Sequence, residues 1–100
     1  MNENIDPTPL IELSGALALE DDPSVIKSFL ESLLTENEVT EISSRWTLVR
    51  LIEKGMSQRT ISKELGLSLC KITRGSREFK KDNSPFAHMI RLYLDRRAEG

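Results

Sequence analysis

Cysteine occurs once, at Cys70, so no disulfide can form within the chain. A single reduced thiol suits a cytoplasmic location, which is the expected compartment. No apolar run approaches 18 residues and no signal-peptide pattern opens the sequence, so no membrane association is expected. One His and one Cys do not supply a metal site. There is no phosphate-cradling glycine loop and no nucleophile beside a matched base, so the chain does not read as an enzyme, and no prosthetic group is implied. One hundred residues support one domain. A chain this short buries a modest fraction of its surface, and a core shared between two copies would help it.

The net charge of −2 gives no hint of a polyanionic partner, but its distribution does. Residues 1–41 carry ten acids and one Lys, whereas residues 42–100 carry thirteen Lys plus Arg against six acids. A basic part facing nucleic acid, with an acidic part turned elsewhere, fits that asymmetry.

The basic part contains the stretch MSQRTISKELGLSLCKITRGS, residues 56–76. Ser57 is placed to cap a first helix, and Ile61 and Leu65 give that helix an apolar stripe. Gly66 ends it where a positive φ is needed. Leu67 plugs the turn, Ser68 caps a second helix, and Leu69 and Ile72 face back toward the first. Two short helices across a Gly-containing turn form a helix-turn-helix, at about residues 57–80. Gln58, Arg59, Ser62, Cys70, Lys71, Thr73, Arg74 and Arg77 fall off the apolar stripe, as cations for phosphate and short groups for base edges. Lys80 and Lys81 extend the basic edge.

Elsewhere the pattern is helical and no strand is evident, so the fold class is all-α with about six helices. Residues 1–7 read as a disordered N-terminal tail, and residues 8–98 as a single helical DNA-binding domain. Thr8-Pro9 and Asp22-Pro23 each read as a cap followed by Pro in the first turn. Gly15 and Ala16 would allow close approach on the first helix. Val25, Ile26, Phe29, Leu30, Leu33 and Leu34 form a broad apolar face that suggests burial against a second chain. Thr35 and Glu38 form a capping box. Val39, Ile42, Trp46, Val49 and Ile52 continue as one stripe to about Lys54, and Gly55 stops the helix. Ser84-Pro85 starts the last helix, with Phe86, Met89, Ile90 and Tyr93 on one face, His88 at the surface, and fraying from Arg96.

Three runs carry a resemblance: Gly55-Met56-Ser57-Gln58-Arg59, Lys63-Glu64-Leu65-Gly66 and Ile72-Thr73-Arg74-Gly75-Ser76. With Leu34-Thr35 and Arg45, they closely resemble the bacterial tryptophan repressor family over roughly residues 33–81. That resemblance implies an intertwined homodimer that binds double-stranded operator DNA as a transcriptional repressor, with L-tryptophan as corepressor. It implies that Arg45 and Arg74 sandwich the indole and that Gly75 leaves room for the ring. Arg74 and Thr35 of the other chain would bind the carboxylate, and Leu34 of the other chain would offer its carbonyl to the ammonium. The residues expected to contact DNA are Gln58, Arg59, Ser62, Leu69, Cys70, Lys71, Thr73 and Lys80.

The chain departs from the family pattern at several points: its first 30 residues resemble the family weakly, and Ser32 stands where a Leu carbonyl contributes. Glu78 replaces a serine at the ligand ammonium, where an anion can meet a cation. Lys71 replaces a DNA-contacting Thr, and the segment between the long helix and the motif is one residue shorter. Two other readings stay open: a ligand-independent DNA-binding regulator of the same fold, and a helical protein-interaction module.

Overall fold

The computed structural model describes residues 6–99, the last three of them by backbone alone. Six helices follow one another: α1 (Thr8–Leu19), α2 (Pro23–Leu33), α3 (Glu36–Glu53), α4 (Gln58–Leu65), α5 (Leu69–Lys80) and α6 (Pro85–Glu99). No strand occurs among the described residues, so the all-α expectation holds. The chain divides into two compact units, Met1–Val39 and Thr40–Gly100, with the boundary inside α3. Most of the expected tail, residues 1–5, lies outside the described residues.

In the first unit the start of α1 differs from expectation. Pro7, not Thr8, occupies the cap position, and the Asp6 carboxylate accepts a bond from the Thr8 N–H at 2.9 Å. A short acceptor two residues upstream thus captures the orphan donor, and the helix begins one residue early. Asp22 caps α2 as expected, accepting from the Ser24 N–H at 2.9 Å and the Ser24 hydroxyl at 2.8 Å. Those bonds, the hydroxyl first, hold the Asp22 carboxyl below its ordinary pKa. The capping box of α3 is complete: Glu38 N–H donates to Thr35 Oγ1 at 3.1 Å, and Thr35 N–H donates to Glu38 Oε1 at 2.8 Å.

Neither α1 nor α2 buries a single residue. A Cβ at Gly15 would meet nothing within 4 Å, so the close approach expected there is not made within one chain. Val25, Phe29 and Leu33 on α2 are all exposed, as are Leu10, Ile11 and Leu19 on α1.

The second unit holds the core. Leu48 of α3, Ile61 of α4 and Ile72 of α5 are buried together. Leu51, Ile52, Met56, Leu65 and Leu67 pack against them. The buried seam of α3 runs through Leu48 and Val49, while Ile42, assigned to the stripe, is exposed. Gly55 takes φ +90°, and the Met56 N–H donates back to the Leu51 carbonyl at 3.1 Å, which reverses the chain into α4. On α6, Ala87 and Ile90 are buried, but Met89 and Tyr93 of the expected face remain half open. Trp46 stacks on Phe86 at 5.9 Å and meets Tyr93 edge-on at 6.2 Å, tying α6 to α3. The Ser84 hydroxyl accepts from the Ala87 N–H at 3.1 Å, and α6 runs to Glu99.

Candidate ligand cleft and DNA-reading helices

The two helices of the motif are built by local signals. Ser57 caps α4 by accepting from the Thr60 N–H at 3.2 Å, and Ser68 caps α5 by accepting from the Lys71 N–H at 3.3 Å. Gly66 stands between them at φ +66°, the left-handed conformation that closes α4. The Ser62 hydroxyl donates across the turn to the Leu67 carbonyl at 2.8 Å. Ser62 therefore has a structural task and is half-buried, which departs from its expected place on the open face. Leu69 is also displaced from its expected packing role. At the first position of α5 it is 59% exposed and turned away from the core, whereas Ile72 is buried, as is Ser76 one turn on. Gln58, Arg59, Cys70, Arg74, Arg77 and Lys80 are exposed, and Thr73 is half-buried.

Beside this motif lies a cleft of about 380 Å³ between α3, α5 and α6. Its lining on α3 is Glu41, Ser44, Arg45, Leu48 and Val49, and on α5 it is Lys71, Arg74, Gly75 and Glu78. Leu67 and Phe86 complete it. Both α3 and α5 contribute residues three, four and seven apart, the spacing of one helix face. The walls are apolar toward the core, and cations and anions stand among them.

Four of the residues assigned to the ligand thus come together: Arg45, Arg74, Gly75 and Glu78. The cleft is built wholly from the second unit. Leu34 and Thr35, which the resemblance assigns to another copy, belong to the first, where Thr35 serves the capping box. Gly75 has a packing role besides any ligand role: a Cβ there would fall 2.8 Å from Leu48 Cδ2 and 3.3 Å from its Cγ. The glycine lets α5 approach α3 closely enough to define the cleft.

The charged groups are already in contact with one another. Glu41 reaches Arg45 Nη2 at 3.7 Å and Lys71 Nζ at 3.6 Å. Lys71, expected at the DNA surface, therefore turns toward the cleft. Glu78 pairs with Lys81 at 2.8 Å. That hydrogen bond, with the nearby charges of Lys81 and Arg74, keeps its carboxyl below the ordinary range.

Sequence reasoning missed Glu41, Ser44 and Phe86. Glu41 had a usable signal, since it sits one turn before Arg45 on the same helix face. Phe86 had none, because only the docking of α6 brings it to the cleft.

A helix-turn-helix with a charged cleft against its second helix has the form of a DNA-binding regulator. The chain belongs to the Trp repressor protein family, whose model matches residues 10–93. This is a regulatory DNA-binding family, not an enzymatic one. A Trp operon repressor homolog of Vibrio parahaemolyticus is 34% identical over 71 residues, covering 70% of this chain and 69% of the relative. A homolog of the same name from Xylella fastidiosa is 32% identical over 68 residues, covering 67% and 74%. One from Vibrio vulnificus is 46% identical over 52 residues, about half of each chain. No solved structure matches the chain significantly. No described helix is long and apolar enough to cross a membrane.

Proposed function

We propose that this chain is a trp-operon-type transcriptional repressor that binds operator DNA as a homodimer in the cytoplasm and is activated by L-tryptophan. The observation that carries the reading is the cleft itself. It gathers Arg45 and Arg74, two guanidinium groups suited to stacking on an indole, with the carboxylate of Glu78 for an ammonium. Arg74 takes the ligand carboxylate, joined by Thr35 of a second copy. The Leu34 carbonyl of that copy and Glu78 take the ammonium, which requires Glu78 to exchange Lys81 for the ligand.

The same α5 that walls the cleft is the helix offered to the major groove, through Leu69, Cys70 and Thr73. Gln58, Arg59 and Lys80 supply further contacts, the two cations to phosphate. Ligand in the cleft shifts α5 toward its DNA-competent position by binding that arrangement more tightly than the empty one. Dimerisation is supported by α1 and α2, which leave Leu10, Ile11, Leu19, Val25, Phe29 and Leu33 exposed in one chain and bury no residue fully. A second copy would complete residues 8–98 as one domain.

Calorimetry and thermal unfolding of the chain with L-tryptophan test the reading. Ligand at 100 times its dissociation constant should stabilise the fold by about 2.7 kcal/mol per site. No heat and no thermal shift at millimolar tryptophan would remove the corepressor. A second reading draws on the ion pairs Glu41–Lys71 and Glu78–Lys81, which satisfy the cleft's charges without ligand. It is a ligand-independent regulator, and its mark is a DNA gel shift that ignores tryptophan.

A further inference from the structure

The cleft carries more charge at one end than an apolar ring requires. Lys71 and Glu78 line the same side of α5, seven residues and therefore about 10 Å apart. Glu78, with Arg74 nearby, marks one end. Glu41 marks the other, with Oε1 3.6 Å from Lys71 Nζ and Oε2 3.7 Å from Arg45 Nη2. The two cations come from different helices, so the carboxylate is held at the cleft from both sides. Its side chain is still 50% exposed, and neither contact is short. A carboxylate with about four acceptor positions keeps some of them free for a further donor.

We propose that Glu41 is a specificity-determining residue of the cleft, accepting a hydrogen bond from an N–H or O–H on the ligand's ring. The cleft then selects an amino acid whose ring carries a donor over one of the same shape whose ring is bare. This rests on the corepressor reading, which puts the amino-acid group at Arg74 and Glu78 and turns the ring toward Glu41. The physical reason is asymmetric. A ring donor replaces the water that Glu41 loses when the cleft fills, whereas a bare ring leaves the carboxylate with a lost bond. Sites that hydrogen-bond a ligand N–H discriminate by that unpaired group more than by shape.

Calorimetry on the full chain with two ligands tests this. One is L-tryptophan. The other is L-3-benzothienylalanine, in which a slightly larger sulfur replaces the ring N–H and cannot donate. Wild type should favour tryptophan by about tenfold or more, the scale of one hydrogen bond to a charged group. Glu41→Ala should bring the two ligands to equal affinity, and Glu41→Gln, whose amide oxygen still accepts, should fall between. Equal affinities in wild type would overturn the proposal, and they decide it even if Glu41→Ala fails to fold. A Glu41→Ala chain that weakens both ligands equally would also overturn it, placing the carboxylate at the ammonium or in the general field of the site. A wild type that binds neither would overturn the corepressor reading and this proposal together, whereas one that binds both alike overturns this one only.

Discussion

Gly75→Ala puts the close approach of α5 to α3 to a quantitative test. In an open helix this change stabilises, because alanine exceeds glycine in helix propensity by about 1 kcal/mol. Here the new methyl would sit 2.8 Å from Leu48 Cδ2 and 3.3 Å from Cγ. Leu48 is 2% exposed, so its side chain can move aside only toward the cleft it lines. Overfilling a packed core costs about 1–3 kcal/mol. Set against the propensity gain, Gly75→Ala should destabilise by about 1 kcal/mol, read as a lower urea midpoint at unchanged slope. The methyl also pushes Leu48 into the cleft or α5 away from α3, so tryptophan affinity should fall with it. The clash identifies its own relief. Leu48→Ala alone should cost about 2–5 kcal/mol, and the double variant should be less destabilised than the two single changes added together. A Gly75→Ala chain stabilised by about 1 kcal/mol, with additive behaviour in the double variant, would refute the packing argument.

Four further outcomes follow from particular residues. Gly66→Ala forces an L side chain into φ +66° and should cost about 1–2 kcal/mol in denaturant unfolding; a neutral result would mean the turn had rearranged. Asp22 should titrate below its ordinary range by NMR, and Ser24→Ala, removing the first of its causes, should raise it. Because the folded carboxyl is the stronger acid, its stabilising effect is present above the ordinary pKa and fades as pH falls through the lowered one. Arg74→Ala should abolish the tryptophan-induced thermal shift, while Glu78→Ser, which restores the family residue, should keep it. Arg59→Ala should weaken all DNA sequences alike and lower the salt slope by about one unit per chain, so a change in sequence preference would reassign it to a base.

The parts of the fold that were legible in the sequence are those set by a few adjacent residues. Ser57, Ser68, Asp22 and the Thr35–Glu38 pair cap the helices they were expected to cap, and Gly66 takes the left-handed conformation its position demanded. The one displaced cap lies where Asp6, Pro7, Thr8 and Pro9 compete, and a carboxylate two residues ahead wins over the hydroxyl. Apolar faces were harder to place. Leu69 and Ile72 share a spacing, but Leu69 begins its helix and projects outward. Periodicity on α3 pointed to Ile42, whereas the seam selected by α4 and α5 passes through Leu48. Arg45, Arg74, Gly75 and Glu78 were found through family likeness and do share one cleft. Glu41 and Phe86 join them only because three helices converge, which no local pattern records. Lys71 was assigned to DNA from its place on the second helix, yet Glu41 draws it to the cleft.

The central claim is that tryptophan in this cleft switches DNA binding on. The most direct measurement is a selection of random-sequence duplexes by the full chain with and without L-tryptophan, followed by titration of the enriched duplex under both conditions at one salt concentration. The account predicts an enriched two-fold-symmetric site bound at least about tenfold more tightly with tryptophan, a coupling of about 1.4 kcal/mol. Equal affinity with and without tryptophan, on a chain shown to be folded, would contradict it.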